Sequence, residues 1–236
     1  TPPSGDPYFP YVSLLLEDTG TNGQTNNTFV ADPTVAPGGV GYLAGTFNGS
    51  TDYLTTPSNA AFAYGTGDFT WEVWVYPTSS SWTTGNFYIL DHGANGGLLA
   101  YYLNIIRYYN TTTGVSSTLY TNGGAISPNT WTHIAVARLS GTTSLYVNGV
   151  LKASASDSYT YATQAVSIGR YGGGAFNWQG YISNVRLVKG TAVYTSNFTP
   201  PTSPLTAISG TSLLTCQSGS GSTFADDSTN NFTITV

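Results

Sequence analysis

The run Phe69-Thr70-Trp71-Glu72-Val73-Trp74-Val75-Tyr76-Pro77 narrows the fold more than any other part of the chain. Phe69, Trp71, Val73 and Val75 fall on one side of a period of two, and Thr70, Glu72, Trp74 and Tyr76 on the other. Such alternation fits a pleated strand and no helix. The first set predicts a core face. The second, aromatic and polar, predicts a concave and partly wet face, and Pro77 closes the strand.

Composition generalises this reading. Charged residues make up 7% of the 236 residues, against roughly 25% in an ordinary soluble domain. Thr, Ser, Asn and Gly replace them and favour strands and turns. Apolar residues at 40% suffice for a core. Six basic residues and a net charge of −5 exclude a nucleic-acid partner, which needs clustered Lys and Arg. No apolar run reaches the roughly 20 residues of a membrane span, so insertion is not expected. The chain begins at Thr1 and contains no Met, which predicts a processed chain or a piece of a longer one. Cys216 has no partner for an internal disulfide and reads as a small buried hydrophobe rather than a reactive thiol.

Prolines 2, 3, 7 and 10 predict an extended arm over residues 1–11, leaving 12–236 as one sandwich domain. Val12 to Leu16 reads as a strand and Gly20 to Thr28 as a loop. Further strands are expected at Tyr53 to Pro57, Phe87 to Leu90, Leu98 to Tyr109, Trp131 to Arg138, Ser144 to Val147, Val166 to Arg170 and Tyr181 to Val188. Asn148-Gly149 predicts a type I′ hairpin, and Thr191 to Asn197 a short helical turn. Leu14–Leu16 with Thr28–Asp32 echoes Leu213–Leu214 with Thr223–Ser228, which predicts first and last strands side by side. Sequons stand at Asn26, Asn48, Asn110, Asn197 and Asn231. The fold class expected is all-β, a two-sheet antiparallel jelly-roll sandwich.

Phe47–Leu54, Phe69–Val75, Trp131–Ala135, Leu145–Gly149 and Gly180–Arg186, in that order, resemble the concanavalin A-like, laminin-G-like jelly-roll domains. Gly190–Tyr194, Asn197–Pro201 and Leu213–Ser218 resemble the version common in bacteriophage and other viral structural proteins. The resemblance implies binding of carbohydrate or cell-surface ligands, frequently with calcium as cofactor. A subset of the superfamily are glycoside hydrolases, and others are structural modules, so fold alone does not choose.

A retaining hydrolase needs two carboxyl groups about 5 Å apart. On this fold they sit at alternate strand positions, yet no two acids of the chain are separated by one residue. Glu72 is followed by Trp74 and Tyr76, so no catalytic residue is assigned. One Cys and two distant His do not make a zinc site, and the glycine runs lack the Lys and helix of a phosphate loop. Asn48 with Asp52, and Asp91 with Asn95, are candidate calcium ligands, with turn capping as the other reading; Asp226 and Asp227 share that choice. Sugar stacking needs exposed rings with amides or acids beside them. Trp82, Tyr171, Phe176, Asn177 and Trp178 meet that description, as do Glu72 and Trp74 on the wet strand face. Tyr101, Tyr102, Tyr108 and Tyr109 are expected to line the same surface.

The expected function is a non-catalytic surface module of a virion or extracellular particle. Its partners would be a glycan or host-surface ligand and neighbouring structural subunits. A purely structural coat, tail or filament subunit is the alternative, and a glycoside hydrolase the minor one.

Overall fold

The Phe69–Pro77 run is a strand at the heart of the larger of two antiparallel sheets. The computed structural model describes residues 29–31, 43–78, 86–101, 104–110, 119–121 and 125–236. The larger sheet contains β1 (Phe29–Ala31), β2 (Leu43–Asn48), β4 (Phe69–Pro77), β9 (Thr132–Leu139), β10 (Thr142–Val147), β11 (Val150–Ser156), β13 (Gln179–Lys189) and β14 (Thr211–Thr215). Its order is β1-β2-β13-β4-β9-β10-β11, with β14 also paired to β13. The smaller sheet contains β3 (Leu54–Thr55), β5 (Phe87–Asp91), β6 (Gly97–Tyr101), β7 (Ile105–Tyr109), β8 (Leu119–Tyr120) and β12 (Ser167–Ile168), in the order β3-β12-β5-β6-β7-β8. A separate two-stranded ladder joins β15 (Gly219–Ser220) to β16 (Thr223–Phe224). The protein is an all-β two-sheet jelly-roll sandwich.

Phe69, Trp71, Val73 and Val75 pack in the core between the sheets with Ile134, Val136, Leu145, Ile182 and Leu187. Leu54, Leu90, Leu98, Tyr108 and Ile168 enter it from the smaller sheet. Burial of these faces is the main favourable term in such a fold. Cys216 is buried there, and desolvation pushes its thiol pKa up, as its hydrophobic reading requires. Asn148 and Gly149 have φ of 49° and 75°, and Val147 pairs with Val150 across the turn. The Asn-Gly signal therefore makes the expected hairpin.

The other face of β4 is dry. Thr70, Glu72 and Trp74 are buried and Tyr76 half-buried, which corrects the expected wet surface. Residues 191–201 form no helical turn; they cross this face as an irregular strap. Thr70 Oγ1 donates to Thr191 O and accepts from Val193 N. Phe198 stacks on Tyr194 with centroids 3.6 Å apart and meets His133 and Tyr146 edge-on. Those side-chain anchors, with Phe198 N donating to Gly149 O, outweigh local helix propensity.

Of the echoing segments, β14 pairs β13 and β1 pairs β2, while Leu14–Leu16 lies outside the described residues. The 1–11 arm, the Val12–Leu16 strand, the Gly20–Thr28 loop and Asn26 lie outside the described residues.

Candidate functional site

Register places Thr55, Ser167, Asp91, Gly97 and Tyr109 side by side across β3, β12, β5, β6 and β7. Their neighbours Leu54, Ile168, Leu90, Leu98 and Tyr108 point into the core. Successive strand residues face opposite ways, so the first row faces outward. Four of its members line a cleft of about 630 Å³ whose walls also include Tyr53, Gln164, Arg170 and Tyr171.

Asp91 is the best-held group in this cleft. It is 2% exposed, and its Oδ2 accepts from the backbone N–H of Gly93 at 3.3 Å and of Gly172 at 3.0 Å. Its Oδ1 is buried and takes no hydrogen bond from the described residues. Desolvation raises its pKa to about 6, against the opposing pull of the two N–H donors. His92, next in sequence, turns the other way. Its ring packs between Phe62, Tyr64 and Trp71, and desolvation lowers its pKa to about 4.

The loop after β12 supplies aromatic surface. Tyr171 is 38% and Phe176 47% exposed, and both rings lie beside Tyr88. The Tyr171 ring lies against Gly173, where a Cβ would come within 2.4 Å of Cε1. Glycine there lets the ring rest on backbone. The Arg170 guanidinium stands 3.4 Å from the Tyr53 ring centroid, a cation–π contact. Tyr88 and Tyr109 join their hydroxyls at 2.7 Å. Tyr109 lines the cleft, while Tyr108 is buried and shares a hydrogen bond with Tyr161. Of that tyrosine pair, Tyr109 alone lines the cleft.

Several expected ligand contacts fall elsewhere. Trp178 is 0% exposed and belongs to the core, so it offers no stacking face. Asn177 is half-buried and its Nδ2 donates to Ser50 O, tying the loop to the β2 turn. Glu72 is 0% exposed beneath the strap. Arg186 donates to its Oε1 from Nε at 2.7 Å, with Nη2 at 2.5 Å, and Tyr194 donates to Oε2 at 2.6 Å. Burial pushes the Glu72 carboxyl upward, but His133 and Arg186 outweigh it and hold the pKa low. Trp74 is buried beside His133. A carboxylate so enclosed meets no sugar. Trp82, Tyr102 and the side chain of Tyr101 lie outside the described residues.

The residues named for calcium are otherwise engaged. Asn48 Oδ1 accepts from the N–H groups of Ser50, Thr51 and Asp52. Asp52 Oδ2 accepts from Asn48 N and Oδ1 from Thr51 Oγ1. Asn95 clamps Ala162 through both ends of its amide. Asp91 Oδ1 is the one oxygen of these two pairs without a donor, where calcium wants six to eight ligands. Among the described residues no cluster of three or more His, Cys, Asp or Glu could hold a metal. These two pairs, as placed, do not by themselves form a site for the ion. Asp226 is likewise a turn organiser, accepting from the N–H groups of Leu214, Ser228 and Phe232.

Tyr53, Gln164 and Arg170 were not foreseen as site residues. Arg170 carried a usable signal: it is one of six basic residues and directly precedes Tyr171. Gln164 carried none, because its approach depends on Gly93, where a Cβ would lie 2.7 Å from Gln164 Oε1.

The sequence profile of the concanavalin A-like lectin/glucanases superfamily matches residues 47–193, and the chain belongs to that family. A Bacteroides ovatus protein assigned a carbohydrate-binding role superposes with a TM-score of 0.61 at 16% identity, over 89% of this chain and 59% of that one. The enzymatically active domain of tailspike protein 2 of bacteriophage CBA120 gives 0.52 at 12% identity, over 72% and 28%. The binding domain of botulinum neurotoxin serotype D gives 0.50 at 13% identity, over 71% and 44%. The chain thus spans about three fifths of the first of these structures and less of the others. No curated protein sequence matches the chain. At these identities the likeness concerns fold. No helix among the described residues is long and apolar enough to cross a membrane.

Proposed function

We propose that the chain is a non-catalytic glycan-binding module, displayed extracellularly or on a virion surface, with its site in the Asp91–Tyr171 cleft. The observation that carries this reading is the meeting of an exposed ring, Tyr171, with a buried carboxylate, Asp91, and a guanidinium, Arg170, in one open cleft. Rings stack on sugar faces while fixed polar groups orient hydroxyls. The description of the Bacteroides ovatus protein as carbohydrate-binding agrees with it. The buried, fully engaged Glu72 supports a module without hydrolase chemistry. A glycan array, run with calcium and with chelator, tests the reading. Binding that Tyr171→Ala abolishes supports it, and silence across neutral, acidic and host-surface glycans refutes it.

A structural-subunit role is a second reading. It is favoured by β11, which ends the larger sheet with Val150 and Leu151 both more than 40% exposed. Exposed apolar edges pair with other chains. Sedimentation that shows only monomer at high concentration would discard it.

A further inference from the structure

Asp91 is a carboxylate with half of its hydrogen-bonding capacity unspent. Two backbone N–H groups hold Oδ2, which fixes the rotamer, while Oδ1 stays buried and without a donor. A buried acceptor left unmet costs roughly 1–3 kcal/mol and calls for an explanation. No neighbouring side chain meets it as placed. Tyr88 and Tyr109 hydrogen-bond each other. Gly97, in register with Asp91 on β6, has no side chain, and a Cβ there would stand 3.4 Å from Oδ1. Gly97 thus sets no side chain against the free oxygen, and the Tyr88 ring edge lies beside it.

Arg170 lines the same cleft, stacked on Tyr53. Its Nε is buried with no acceptor, and among the described residues no carboxylate lies within ion-pair distance of it. The cleft therefore presents one strong acceptor and one strong donor that do not satisfy each other. Their charges sum to zero while both are ionised. A sugar hydroxyl both donates and accepts, so one hydroxyl can meet Asp91 and another Arg170 without adding charge. A carboxylate-bearing sugar could pair with Arg170 but would leave Asp91 Oδ1 facing a second anion.

Resting on the glycan reading above, we infer that the cleft selects an uncharged pyranose, one hydroxyl donating to Asp91 Oδ1 and another accepting from Arg170. Tyr171 supplies the stacking face, and exclusion of anionic sugars follows from the unpaired Asp91 oxygen. Asp91 and Arg170 are then specificity-determining residues of the site.

Isothermal titration with four probe sets tests this: neutral gluco-, galacto- and manno-oligosaccharides, glucosamine oligomers, oligogalacturonate and sialyllactose. The neutral set should bind, and Asp91→Asn and Arg170→Met should each weaken it about tenfold, the scale of one lost charge-assisted hydrogen bond. Arg170→Met alters a half-buried side chain, so it keeps the test sound if Asp91→Asn proves unstable; circular dichroism confirms the fold of each variant. Preference for the acidic or the amine-bearing probes overturns the inference, as does neutral binding that neither variant weakens. Failure of every probe, with Tyr171→Ala making no difference, instead overturns the glycan reading beneath it.

Discussion

The backbone N–H of Gly172 donates to Asp91 Oδ2 at 3.0 Å, joining a loop to the end of a strand 81 residues away in the chain. This bond ties the Tyr171 loop to the end of β5, both of which line the cleft. A Cβ on residue 172 would lie 2.8 Å from the same oxygen. A side chain there would push the carboxylate or the loop aside.

Gly172→Ala should therefore break that bond and lower stability by about 1–2 kcal/mol, the cost of leaving a buried partner unmet. Urea denaturation would show the midpoint falling. Glycan affinity should fall with it, because Tyr171 loses its seat. An unchanged midpoint would mean the loop closes without the bond.

Trp178 separates core from site. Its ring is fully buried, so Trp178→Ala should cost about 3–5 kcal/mol of stability. Tyr171→Ala should cost far less and act on binding. Melting curves of the two variants, taken beside their glycan titrations, check the contrast.

Glu72 and Arg186 form a buried pair under the strap. Glu72→Gln removes the charge that Arg186 needs, and breaking a buried pair in this way costs about 3–5 kcal/mol. Proteolysis should then cut first within residues 191–201. A variant with native stability and an intact strap would contradict this account of the network.

Asp91 and His92 titrate against each other. The His92 pKa is lowered to about 4 from 6.5, so its contribution is complete above pH 6.5 and is lost as pH falls toward 4. The Asp91 pKa is raised to about 6 from 3.8, so its contribution is complete below pH 3.8 and is lost as pH rises through 6. Each effect is on the order of 3 kcal/mol, and they nearly cancel between pH 4 and 6. Asp91→Asn should leave His92 unopposed, making the variant increasingly labile between pH 6.5 and 4 while the parent changes little. Urea midpoints at pH 7, 5.5 and 4.5 measure this.

Much of the fold was legible because it depends on local rules. The alternation in Phe69–Pro77 and the positive φ demanded by Asn148-Gly149 are properties of short segments. Tyr171 and Phe176 were legible as exposed rings because loops between strands run over the surface. Trp178, two residues beyond Phe176, was not separable from them. Which ring of an aromatic loop turns inward depends on what the opposite sheet leaves unfilled.

The sequence by itself determined an all-β sandwich, the inward face of its central strand and the aromatic loop at 171–179. Each follows from periodicity or turn chemistry within a few residues. Only the tertiary structure decided that the outward face of β4 is covered by a strap, that Glu72 is committed to Arg186 and Tyr194, and that Asp91 stands in a row with Thr55, Ser167, Gly97 and Tyr109. Those outcomes depend on strand register and on partners far apart in the chain. No local pattern encodes them.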